Sequence, residues 1–79
     1  MNELTLAQRG QIKRIMDRIE VSETGIAVFK DADGLSAVFD STVQTDYWIR
    51  KGRPELVGRY HKGYNPATIR RELSDAYIA

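Results

Sequence analysis

Cysteine is absent from this 79-residue chain, so neither a disulfide framework nor a thiolate metal site can support it. The single histidine, His61, cannot hold zinc without several carboxylate partners. No apolar run approaches the ~18 residues that a membrane span requires. The N-terminal stretch MNELTLAQRGQIKR has no apolar h-region, so no signal peptide is expected. There is no phosphate-cradling G-x-x-x-x-G-K-[ST] loop. The serines Ser22, Ser36, Ser41 and Ser74 stand beside no base with an orienting acid, and His61 has no nucleophile at suggestive spacing. These absences point to a protein that is not an enzyme, takes no cofactor or metal, and works in the reducing cytoplasm of a host bacterial cell, with no membrane segment.

An apolar share of 42% is enough for a small core and argues against disorder. Residues 1–79 make one domain, small enough to be marginal in stability. The spacing predicts an amphipathic helix over 5–20: Thr5 and Gln8 have capping-box spacing, and Ile12, Ile15, Met16 and Ile19 make one apolar stripe. Arg9, Lys13, Arg14, Asp17 and Arg18 fall on the other, solvated face. Residues 25–39 read as a β-hairpin, GIAVFK and LSAVF joined by DADG. Both runs carry apolar residues on both faces, which predicts a sheet covered by helices on one side and partly covered on the other.

Residues 41–51 read as a second helix, with Ser41 and Gln44 at its start and Gly52 and Pro54 at its end. Residues 55–61 fit either a short edge strand or a helical turn. Asn65 and Pro66 are an N-cap and N1 pair, and Ile69, Leu73 and Tyr77 give a last helix over 66–77 its apolar stripe. The expected fold is a small α+β domain: an N-terminal helix, a β-hairpin, then two helices joined by a basic loop or short strand.

Charge is distributed unevenly. Residues 47–71 hold seven of the twelve Lys and Arg side chains and one of the eleven acids, a net +6; the remainder holds five cations and ten acids, a net −5. Tyr47, Trp48, Tyr60 and Tyr64 lie among these cations. Cations interleaved with aromatics suit a surface that meets phosphates, RNA or an acidic protein face. The candidate partner-binding residues are therefore Trp48, Arg50, Lys51, Arg53, Arg59, Tyr60, Lys62 and Tyr64. Trp48 also suits a core position, whereas Tyr60 and Tyr64, beside glycines and cations, are expected to be exposed. DADGLSAVFD invites comparison with a calcium loop, but Phe29 would fall at its first ligand position and cannot ligate.

Two family resemblances bear on function. IAVF at 26–29 and FDSTVQTDYW at 39–48 resemble an IAV-aromatic strand and an FDST-x-Q-x-x-x-W helix start of small phage-encoded type I-F anti-CRISPR proteins. That resemblance implies a phage inhibitor that binds a multisubunit RNA-guided CRISPR complex as a protein partner, blocking target DNA by steric and electrostatic occlusion. The chain is expected to be a monomer. TVQTDYWIRKGRPELVGRY at 42–60 is similar to the recognition helix and wing of excisionase-like winged-helix proteins, with one extra residue between Val43 and Trp48. This alternative implies a DNA-binding regulator with Arg50 and Arg53 near the duplex and Arg59 in the wing.

Overall fold

The computed structural model describes residues 3–39, 51 and 55–78. Helix α1 runs Leu6–Val21 and begins with the reciprocal cap its sequence predicts. Gln8 N donates to Thr5 Oγ1 (3.1 Å), and Thr5 N donates to Gln8 Oε1 (2.9 Å). The helix ends at Ser22, whose backbone N–H still reaches Arg18 O (3.0 Å). The buried Ser22 hydroxyl both accepts from Gly25 N and donates to Gly25 O, folding the chain into the first strand. Gly25 takes φ +93° there, a backbone that side chains with a Cβ rarely adopt.

Strands β1 (Ile26–Asp31) and β2 (Gly34–Phe39) form the expected hairpin, with Val28 opposite Ala37. Among the described residues no non-glycine residue has positive φ, so Ala32 and Asp33 do not form the mirror-image turn common in two-residue hairpins. Instead Asp33 N donates to Asp31 Oδ1 (2.9 Å), and Gly34 supplies the unusual backbone at φ +124°. The DADG motif is thus a hairpin turn.

Residues 55–60, which the sequence left open between strand and helical turn, form strand β3 (Glu55–Tyr60). It pairs antiparallel with β1, giving the order β2-β1-β3. A register shift between Val28 and Phe29 inserts Val57 as a bulge, which turns it toward the core. Helix α2 runs Pro66–Ile78. Asn65 caps it through Ala67 N to Oδ1 (2.9 Å). The helix expected over 41–51 lies outside the described residues, except for Lys51, which is in a turn. The described fold is therefore α+β, two helices on a three-stranded antiparallel sheet.

Both helices pack on one face of the sheet. Ile12, Ile15 and Ile19 of α1 and Ile69 and Leu73 of α2 meet Ile26 and Val28 of β1, with Leu35 and Tyr60 completing the cluster. Ala27 and Phe29 alternate with these on β1 and point to the opposite face, where both are equally buried (0% and 1% exposed). The central strand is covered on both sides, which explains its unbroken apolar run. Helix α1 also covers the free edge of β2. Gln11 Nε2 donates to Leu35 O, and Arg18 Nη1 donates to Ala37 O (3.1 Å). The hairpin register turns these two carbonyls away from β1, so the helix satisfies groups that would otherwise invite another strand. Among the described residues, no helix is long and apolar enough to cross a membrane.

Candidate binding surface

Strand β3 sorts the basic segment into buried and exposed positions. Arg59 is exposed and pairs with Ala27, on the face away from the helices. Tyr60, next in sequence, points the other way and is 1% exposed. This corrects the expectation that Tyr60 is exposed. Its ring lies back along its own strand over Gly58, where an added Cβ would come 2.7 Å from Tyr60 Cζ. That path brings the phenol to α2, where Tyr60 Oη donates to Glu72 Oε2 (2.6 Å). Burial, followed by the hydrogen bond and charge of Glu72, pushes the Tyr60 pKa far above its ordinary value. Glycine at 58 is thus a condition for the β3–α2 contact.

Tyr64 is half-buried and stacks edge-on against Tyr60, ring centroids 5.3 Å apart at 88°. It belongs to the margin of the core and offers only part of its ring to solvent. His61 lies edge-on to Tyr64 at 5.5 Å. The turn between them closes through Tyr64 N to His61 O (3.0 Å), with Gly63 at φ +93°. His61 and Lys62 are exposed at this turn, and Lys51 is exposed as well. Of the eight candidate partner-binding residues, Lys51, Arg59 and Lys62 are at the surface, Tyr64 is half-buried and Tyr60 is core. Trp48, Arg50 and Arg53 lie outside the described residues.

The structure brings together a second set of cations that the linear charge pattern did not single out. Arg9, Lys13 and Met16 of α1 and Arg70 and Ser74 of α2 line an open groove of about 520 Å³ between the two helices. Its floor is apolar, made by Leu4, Ile12 and Met16. The one acid on its rim among the described residues, Asp17, pairs with Lys13 at 3.1 Å. Arg9 and Lys13 stand four residues apart, a spacing that puts them on one helix face. Sequence alone did not show that Arg70, more than fifty residues away in the chain, completes the rim. An acidic surface lies elsewhere, where Glu55, Glu72 and Asp75 gather beside Lys30. Among the described residues, no three His, Asp or Glu side chains group closely enough to hold a metal ion.

Comparison with known proteins adds no relative: no protein-family model matches the chain, and neither a curated protein nor a solved structure resembles it significantly.

Proposed function

We propose that this chain is a binding protein for an acidic partner and acts as a small phage-type inhibitor of a type I CRISPR effector complex. The observation that carries the proposal is a set of uncompensated surface charges. Arg9, Arg14, Lys62, Arg70 and Arg71 are exposed and have no carboxylate partner among the described residues. Unpaired cations on a small scaffold attract and orient an anionic surface. The identity of the partner draws on the resemblance at 26–29 and 39–48, the first block of which lies in β1.

Charge sign constrains the mechanism. The channel that holds a guide–target heteroduplex is itself positively charged, so a cationic face cannot imitate DNA there. The inhibitor instead seats on an acidic protein surface beside the DNA path and blocks it by bulk. The excisionase-like alternative places a short helix just before residue 41, where Gly34–Phe39 is a strand. That observation favours the inhibitor.

The test is co-elution with an RNA-loaded type I effector on size-exclusion chromatography, followed by order-of-addition. Preincubation should prevent target-DNA capture, whereas addition after DNA has bound should have little effect. Tight duplex binding by the isolated chain that weakens steeply with salt, and no effect on any effector, would establish the DNA-binding regulator instead.

A further inference from the structure

We infer that the groove between α1 and α2 is a docking site for an acidic amphipathic helix of a protein partner. The inference rests on the groove's shape and charge and is independent of the CRISPR reading.

The floor of the groove supplies an apolar contact. Ile12 is buried within it, and Leu4 and Met16 are half-buried against the core, leaving part of each side chain to a ligand. Methionine is unbranched and adapts to differently shaped anchors. The lining runs along α1 from Arg9 to Asp17, roughly 12 Å, with Leu4 just before the helix, and that length matches about two turns of helix, the span of anchors at i, i+3 and i+7. Two packed helices offer a third the same ridge-and-groove surface they offer each other.

The rim selects the sign of the ligand. Asp17 is occupied by Lys13, so Arg9 and Arg70 face the groove from opposite helices without a carboxylate partner among the described residues. A helix with leucine-type anchors at i, i+3 and i+7 can fill the floor and place flanking Asp or Glu against both guanidinium groups. Nucleic acid fits less well, because among the described residues no aromatic side chain lines the groove to stack a base. A bilayer also fits less well, since the apolar side chains form a recessed floor and do not protrude.

The experiment uses the full chain and a fluorescein-labelled peptide of about 15 residues, with leucines at i, i+3 and i+7 and Glu and Asp on its flanks. Fluorescence anisotropy should show saturable binding that falls several-fold as salt rises. Arg9→Glu with Arg70→Glu should weaken it by about tenfold or more, the loss of charge-assisted contacts. Lys30→Glu, beside Glu55 and Glu72 and away from the groove, should leave it unchanged. Amide shifts of the unmodified chain on peptide addition should cluster at 4–17 and 70–74, which keeps the test valid if a variant misfolds. The inference is overturned by the absence of saturable binding, by equal binding of a peptide with serine in place of leucine, by insensitivity to the Arg9 and Arg70 reversals, or by equal competition from duplex DNA or anionic vesicles.

Discussion

The helix–hairpin half of the molecule and the segment from β3 to the following turn obey different rules. In residues 5–39 each local signal predicts its outcome: a capping box, an isoleucine stripe, two apolar runs and a hairpin turn between them. In residues 55–64 the same reasoning yields glycines, cations and tyrosines, the composition of an exposed loop, yet the segment is a sheet strand with a core tyrosine. What separates them is the range of the interactions that matter. Helix α1 and the hairpin rest on contacts a few residues apart, whereas β3 gains its structure from β1, some thirty residues earlier, and from Glu72, twelve residues later.

The sharpest way to break this contrast is at Tyr60. Tyr60→Ala should lower stability by about 3–5 kcal/mol, as for other buried aromatic truncations. Denaturant unfolding measures it, and a loss under about 1 kcal/mol would return Tyr60 to the surface. Against the marginal stability of a small domain, a loss of that size leaves much of the chain unfolded. Ile15→Ala, on the legible side of the comparison, should cost about 2–4 kcal/mol. An equal ranking of the two substitutions would show that the residue placed by long-range contacts is as much part of the core as the one placed by local periodicity.

Gly58→Ala sharpens the comparison further, because it adds one carbon where the Tyr60 ring lies. The ring is buried and cannot swing away, so a cost of about 1–3 kcal/mol is expected. Loss of the cost in the double variant Gly58→Ala/Tyr60→Ala, measured as a thermodynamic cycle, would assign it to the ring.

Tyr60→Phe removes only the hydrogen bond to Glu72 and should cost about 1–3 kcal/mol at neutral pH. Its pH dependence carries a definite sign. The folded-state pKa of Tyr60 is raised, so the associated stability is fully present below the ordinary value of 10.0 and is lost as pH climbs above it. Thermal melts should therefore show alkaline destabilisation above about pH 10 that is diminished in Tyr60→Phe.

The smallest effect is expected at Tyr77. Its hydroxyl is buried with no partner at full hydrogen-bonding geometry among the described residues; burial raises its pKa, while the nearby Leu35 backbone and then the Arg14 charge offset part of the rise. Tyr77→Phe should change the melting free energy by less than about 1 kcal/mol, toward greater stability, because a buried unpaired hydroxyl is removed. A clear loss would mean that the hydroxyl is satisfied in solution.

The sequence alone determined the α+β class, the extents of α1, the hairpin and α2, and the isoleucine and leucine residues that meet in the core. Periodicity, capping and turn chemistry act over a few residues, and a single sequence contains all of that information. Tertiary structure decided which tyrosine faces in. It made 55–60 a strand by pairing it with β1, and its alternation then sent Arg59 outward and Tyr60 into the core. Tertiary structure also decided where charge accumulates. The described cations of the +6 stretch, Lys51, Arg59, Lys62, Arg70 and Arg71, are divided among turns, β3 and α2, and Arg70 joins Arg9 and Lys13 around a groove only because two helices distant in sequence lie side by side on one sheet face. Charge counted along a chain becomes a binding surface only after packing has chosen which side chains become neighbours.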